Sequence, residues 1–278
     1  MIKKVISLLL LLYCFVSVAF AVDFYSNTGA RSVALGQSSS CFRDVWSVVN
    51  NQAGLAFIAN PTLGIFYEER FGMKEMSVKS VAFALPTNRV GNFGVSFTYF
   101  GDKYYNESRI NLGYGRMLGK HFAIGLAFDY FAMSVEGNSQ VADARALTGE
   151  VGVMVEPIEN LWISAHAYNP FGVNITNGEY EEKLPVLLRL GAMYSFEKDL
   201  LFVVELEKEL DYKMRLKTGV EYTFLEQFVV RGGVATNPTE FSGGIGVKLQ
   251  RFNLDLSFYR HQYLGYTPAV ALVYAFGK

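Results

Sequence analysis

The chain has 278 residues, of which 51% are hydrophobic, 15% aromatic and only 18% charged, with 26 glycines. Its 25 basic residues face 26 acidic ones, so a basic nucleic-acid-binding domain is excluded. The apolar content excludes intrinsic disorder, and glycine lacks the triplet period of collagen.

Residues 1–21 differ from the rest. Lys3 and Lys4 precede an apolar run from Val5 to Phe15, and Ala19-Phe20-Ala21 supplies small residues where a signal peptidase reads. This predicts a cleavable secretory signal, with a membrane anchor as the alternative; bulky Tyr13 before Cys14 argues against a lipoprotein. Loss of Lys3 and Lys4 leaves 23 basic residues against 26 acidic, a net charge of −3. Cys41 then has no disulfide partner within the chain and reads as a small packed residue. No later stretch approaches the roughly 18 uninterrupted apolar residues of a spanning helix. An exported, apolar chain without such a helix points to a transmembrane β-barrel, whose outward apolar residues alternate with inward polar ones.

Residues 22–60 do not alternate. Asp44 is positioned to cap a short helix that begins at Val45 and stops before Gly54. One reading makes this segment a leader on the periplasmic rim. The other makes it a plug inside the lumen, centred on Asp44, Trp46, Asn51, Gln52 and Gly54. The second is preferred because Trp46, Val48, Val49 and Leu55 need burial that lipid-facing strands cannot provide.

From Pro61 to the end of the chain, residues 61–278, the period is two. Phe202, Val204 and Leu206 alternate with Val203, Glu205 and Glu207; Leu216, Thr218, Val220 and Tyr222 alternate with Arg215, Lys217, Gly219 and Glu221. A soluble sandwich would show the opposite economy, with its charged face exposed and its apolar face shared between two sheets. Segments of this kind fall near 61–69, 76–85, 92–100, 108–118, 121–133, 145–156, 160–168, 184–196, 200–208, 213–224, 227–235, 240–249, 251–260 and 268–277, which predicts an all-β antiparallel barrel of fourteen strands. Every second connection is short, as in a barrel with tight turns at one end and longer loops at the other. An even strand number puts both barrel ends of the chain on the turn side, which is periplasmic in outer-membrane barrels.

Aromatic residues at strand ends, among them Tyr99, Tyr130, Tyr194, Tyr222 and Phe258, suit interfacial girdles. The last strand sets Val270, Leu272, Tyr274 and Phe276 against small Ala269, Ala271 and Ala275. It resembles the C-terminal signal read by the barrel assembly machinery, an expected partner together with outer-membrane lipid.

The segment Gly29-Ala30-Arg31-Ser32, then Asp44-Val45-Trp46-Ser47 and Asn51-Gln52-Ala53-Gly54-Leu55-Ala56, closely resembles the N-terminal region of the PorV/PorQ group of outer-membrane proteins, related to the FadL long-chain fatty-acid transporters (OmpP1/FadL/TodX). The usual wording there is Asn-Pro-Ala-Gly-Leu, and Gln52 in place of proline is a variant associated with Bacteroidota. Asn169-Pro170, Leu184-Pro185, Arg189-Leu190-Gly191, Gly219-Val220-Glu221-Tyr222 and Arg231-Gly232-Gly233 extend the resemblance over nearly the whole mature chain. The resemblance implies a fourteen-stranded barrel with an N-terminal plug. It also implies either uptake of hydrophobic molecules or an accessory role in type IX secretion. This chain is shorter than typical members of either branch.

Assignment of faces places Arg109, Arg189, Arg215, Lys217, Arg231 and Lys248 in the lumen with Asp129, Glu150, Glu205, Glu207, Glu221 and Asp255, six of each sign. They read as a salt-bridge network that stiffens a narrow barrel, or as a polar conduit whose balance argues against ion selectivity. Phe66, Phe100, Phe131 and Trp162, with Met154, Tyr168 and Met193, are inward and suit either apolar ligand contacts or packing against the plug.

No enzymatic constellation is visible. His121, His166 and His261 lack a serine or cysteine in a nucleophile motif, and the Gly-x-Gly pairs at 113–115 and 244–246 fall inside strands. Tight metal-ligand spacings do not occur, and no cofactor is called for. Two functions follow, in this order: a non-enzymatic accessory or complex-forming subunit in an outer-membrane secretion or surface-protein complex as the first reading, and a transporter of hydrophobic small molecules as the alternative.

Overall fold

A computed structural model describes residues 27–87, 89–136, 143–178, 181–197 and 199–277. The expected signal over 1–21 and the start of the 22–60 segment lie outside them. The chain opens with two short helices, α1 (Ala30–Ala34) and α2 (Ser47–Asn50), and a 3-10 segment over Gln52–Phe57. The wall then runs through β1 (Thr62–Glu69), β2 (Ser77–Leu85), β3 (Asn92–Gly101), β4 (Tyr105–Met117), β5 (Phe122–Val135), β6 (Ala144–Ile158) and β7 (Leu161–Tyr168). A small hairpin follows, β8 (Asn174–Thr176) and β9 (Glu181–Lys183). The wall resumes with β10 (Leu187–Phe196), β11 (Leu200–Glu209), β12 (Arg215–Phe224), β13 (Phe228–Ala235), β14 (Glu240–Lys248), β15 (Phe252–His261) and β16 (Gly265–Ala275).

Fourteen strands form the wall, each antiparallel to its neighbours, and β1 pairs with β16 over Thr62↔Ala275 to Glu68↔Ala269, which closes the barrel. Closure pairs the backbone polar groups of the wall without leaving an open edge. The expected strands match within a few residues, with two differences. The eighth strand of the wall, β10, begins at Leu187 rather than 184, because the chain after Tyr168 turns aside into β8 and β9. That hairpin reaches the wall through Arg145↔Thr176 and is too short for a period-two pattern to be read in sequence. Also, the β3–β4 connection spans only residues 102–104, so the loop end mixes short and long connections.

The alternation has the expected sense. On β11, Phe202 and Val204 point out, 46% and 41% exposed, while Val203 and Glu205 point in and are buried. Phe128 lies in the middle of β5, faces outward and is 69% exposed, between Leu112 and Gly149 in register.

If this face meets lipid, Phe128→Arg should destabilise the folded barrel by about 2–4 kcal/mol and Phe128→Leu should be close to neutral. Denaturant unfolding in vesicles measures both. An arginine tolerated there without cost would place this face in water.

Candidate functional site

Residues 27–57 of this segment pack against inward-facing residues of the wall, whereas Ala59 and Asn60 are exposed. The path of residues 27–57 is set by missing side chains on the wall. Gly64, Gly94, Gly125, Gly152, Gly191 and Gly233 face inward on different strands, and the plug touches each of them. A Cβ on Gly64 would lie 2.7 Å from Val45 Cγ1, and one on Gly94 2.8 Å from Val48 Cγ2. On Gly125 it would overlap the Ala53 amide, and on Gly233 the Gly36 amide. The wall glycines therefore form a socket.

The helical part of the plug departs from expectation. Asp44 does accept a backbone hydrogen bond, from the Trp46 amide at 3.0 Å, but the helix starts at Ser47. Gly54 does not end it either. The helix ends at Asn50, and Gly54 sits within the 3-10 segment, where a Cβ would overlap the Phe42 carbonyl and the Ser47 hydroxyl. Asn51 ties the segment together: its Nδ2 donates to the Ser40 carbonyl at 2.8 Å and its Oδ1 accepts from the Ala53 amide at 3.2 Å.

The plug is two-sided. Ala30, Val33, Val45, Trp46, Val48 and Leu55 pack toward an apolar part of the wall that includes Phe66, Ala82 and Ala271, with the Trp46 ring edge-on to Phe66 at 5.9 Å. The polar side is held by four wall carboxylates. Glu150 on β6 accepts from Gln52 Nε2 at 2.9 Å. Glu205 on β11 accepts from the consecutive amides of Ser39 and Ser40 at 2.9 and 2.8 Å. Glu221 on β12 takes Arg31 in a two-pronged pair at 2.8 and 2.9 Å, and Glu240 on β14 accepts from Gln37 Nε2 at 2.7 Å.

These carboxylates belong to a wider belt of lumen charges. Arg109 bridges Asp129 at 2.7 Å and Glu150, which also meets His166 Nε2 at 2.7 Å. Arg189 and Lys217 meet on Glu207 at 2.8 and 2.7 Å, and Lys217 reaches Glu205 at 3.3 Å. Arg215 pairs with Glu240 at 2.7 Å, and Arg231 joins Glu221 to Asp255. Eleven of the twelve expected lumen charges thus enter ion pairs. Lys248 does not: it is half-buried and donates to the Thr223 hydroxyl at 3.4 Å. Buried charges of this kind are tolerable because each has a partner. Removal of one partner strands the other.

Sequence reasoning missed Arg31, Gln37 and Glu240 as members. Glu240 was legible, since it precedes outward Phe241 in an alternating strand. Arg31 and Gln37 were not, because the plug has no period from which to read a face.

The four aromatic residues proposed as ligand contacts do not line one cavity. Phe66 meets Trp46, and Phe100 lies beneath the Arg70 guanidinium at 5.0 Å. Phe131 is fully buried in the same cluster, whereas Trp162 belongs to a second one, edge-on to Phe57 at 4.8 Å and stacked by Arg43 at 4.3 Å. Between plug and wall, Val49, Asn50, Arg109, Glu150, His166 and Arg189 border a cavity of about 10 Å3, close to the size of one water. A larger open groove of about 560 Å3, which includes Ala192, Phe202, Val204 and Thr218, lies on the outer face of β10–β13, away from the charge belt. Cys41 is buried on the plug with its Sγ 3.1 Å from Ser164 Oγ on β7; burial pushes the thiol up to about 12.

No protein-family profile and no curated protein sequence matches the chain. Solved structures do. The toluene transporter TodX of Pseudomonas putida superposes with a TM-score of 0.69 at 12% identity, covering 91% of this chain and 100% of that one. A Pseudomonas aeruginosa FadL homologue gives 0.66 at 12% identity, over 90% and 98% of the two chains. The Acinetobacter baumannii outer membrane protein Omp33 gives 0.52 at 9% identity, over 78% and 98%. At such identities the likeness establishes the fold, a fourteen-stranded barrel of the FadL/TodX type.

Two adjacent glycines separate the socket from the lipid face. Gly233 points at the plug, whereas an added Cβ on outward Gly232 meets nothing within 4 Å. Gly233→Val should lower stability by about 1–3 kcal/mol through overpacking, and Gly232→Val should leave it nearly unchanged. Heat-modifiable gel migration across a temperature series reads both; equal behaviour of the two variants would contradict the socket.

Proposed function

We propose that this protein is an outer-membrane channel for small hydrophobic compounds, with a resident plug that must shift for passage and with both barrel ends of the chain on the periplasmic side. The observation that carries this reading is the plug within a fourteen-stranded wall of the TodX and FadL type, joined to an apolar half-lumen around Phe66, Ala82 and Trp46. One of the similar structures is described as a toluene transporter, and shortened variants of it as a monoaromatic hydrocarbon channel. A balanced set of paired charges suits a non-selective lining around such a route, and no catalytic step is required of it. Delivery to the membrane by the barrel assembly machinery through β16 belongs to the same reading.

A second reading, a non-enzymatic accessory or complex-forming subunit of the kind that the PorV/PorQ resemblance implies for type IX secretion, is favoured by the four carboxylates that fasten the plug. A permanently seated plug would suit a barrel whose work is done on its surface. Affinity purification from native outer membrane in mild detergent tests it: a stoichiometric partner is expected, and isolation of the barrel alone counts against it.

The proximity of Cys41 to Ser164 offers a lock for the channel reading. Ser164→Cys should form a disulfide with Cys41 and fix the plug to β7. Uptake of a radiolabelled monoaromatic hydrocarbon by cells carrying the oxidised variant should fall to the level of cells without the barrel, return on reduction, and be insensitive to oxidant in the parent protein. Full uptake with the disulfide formed would refute plug displacement. Absence of uptake by the parent would refute the transport reading.

A further inference from the structure

The turn end of the barrel is electrostatically divided. From the β14–β15 turn, past the β1–β16 seam, to the β4–β5 turn, its charged side chains are Arg251, Arg89, Arg116 and Lys120, all exposed. Over the remaining arc, from the β6–β7 turn to the β12–β13 turn, the charges on the turns are Glu156, Glu159, Glu197, Asp199 and Glu226, with Lys198 in sequence between two of them, while Arg43 of the plug, stacked on Trp162, and half-buried Lys248, beside Thr223, stand on the lumen side. One boundary is marked by His121 beside Glu156 at 3.4 Å. Among the described residues, the salt bridges include none to Arg89, Arg116, Lys120 or Arg251. These are therefore uncompensated cations, in contrast to the paired guanidinium groups of the lumen.

Three of them gather at one corner. The β2–β3 turn that carries Arg89 is fastened to β4, because the Tyr114 hydroxyl donates to the Val90 carbonyl and the Tyr114 ring packs on Phe93 with centroids 5.3 Å apart. Gly91, at φ 110°, lies under that ring where a Cβ would clash with it. Arg116 projects outward two residues along β4 from Tyr114, and Lys120 stands in the next turn. Strand spacing puts the Arg89 and Lys120 turns about 10 Å apart, within joint reach of one phosphate group for long flexible side chains. Beside the cations, Leu85, Val90, Phe93 and Leu118 form an exposed apolar collar.

We propose that this corner binds the phosphate headgroup of an anionic phospholipid. The collar takes the glycerol and upper acyl region, Tyr114 and Phe93 sit at interfacial depth, and the three cations meet the phosphate. An anionic lipid is selected over a zwitterionic one because a headgroup ammonium would face three unpaired positive charges. The acidic arc repels the same lipid, so the barrel carries an asymmetric lipid annulus, with the headgroup fixed at the β2–β5 side. The inference rests on the barrel lying in a bilayer and is independent of what it transports.

The mature protein is reconstituted in phosphatidylcholine vesicles that contain brominated phosphatidylglycerol or brominated phosphatidylcholine. Tryptophan reporters are introduced singly by Phe93→Trp at the corner and Phe224→Trp on the acidic arc, over the constant background of lumenal Trp46 and Trp162. Each surface cation near a membrane is worth roughly five-fold in anionic-lipid affinity, so quenching at the Phe93→Trp reporter should favour phosphatidylglycerol by about ten-fold or more. The preference should shrink in high salt and disappear when Arg89→Gln, Arg116→Gln and Lys120→Gln are combined. The Phe224→Trp reporter should show no preference. Equal preference at the two reporters, or preference that survives the triple substitution, would overturn the proposal. Displacement of the lipid by millimolar inorganic phosphate would show a free-anion site instead. If the triple variant fails heat-modifiable migration, the comparison of the two reporters in the otherwise unaltered protein decides the matter. Failure of the parent barrel to insert would refute the bilayer reading, a result distinct from insertion without lipid preference.

Discussion

The structure depends on a steric constraint: a closed wall of fourteen strands encloses a volume that its own inward side chains do not fill. The wall meets this constraint by giving up side chains. At Gly64, Gly94, Gly125, Gly152 and Gly233 the plug backbone or its side chains occupy the place of a Cβ. Glycine in a strand interior costs propensity and packing, and here that cost is offset by apolar contact with Trp46, Val48 and Leu55. The plug is consequently part of the core, and the barrel without it would carry a cavity lined by bare backbone.

Electrostatics follow from the same enclosure. Once the plug fills the lumen, inward charges lose most of their water and must be neutralised by one another. The belt from Asp129 and Arg109 through Glu150, Arg189, Glu207 and Lys217 to Arg215 and Glu240 does this across neighbouring strands. Four of its carboxylates, or of the adjoining Glu221 group, also receive donors from the plug. The network that balances the wall is thereby the network that fastens the plug, and a functional displacement of the plug would have to replace the donors that Glu205 and Glu221 receive from it with water. At the rim the opposite rule holds: in contact with water and headgroups, Arg89, Arg116 and Lys120 can stand without carboxylate partners.

Much of this was legible in the sequence because a barrel wall is written in a period of two. Glu205, Glu207, Lys217 and Glu221 alternate with Phe202, Val204, Leu216 and Val220, so the inward face, the strand number and the charge balance could be read by counting. The order of short turns added the even strand number. Even the missed Glu240 obeys the same alternation.

What only the tertiary structure decided lies where no period exists. The plug sequence has too few residues in regular structure to display a face, so the pairing of Arg31 with Glu221, of Gln37 with Glu240 and of the Ser39 and Ser40 amides with Glu205 appears only when residues some 160 to 200 positions apart are brought together. Phe100, Phe131 and Trp162 were correctly read as inward, yet inwardness did not say what they would touch. The grouping of rim charges into a basic and an acidic arc likewise requires the ring to close, because Arg251 and Arg89 fall on one arc only across the β1–β16 seam. Alternation is a local property fixed by the strand backbone and its two environments. Partnership across a lumen or around a rim is set by closure, which the strands achieve only together.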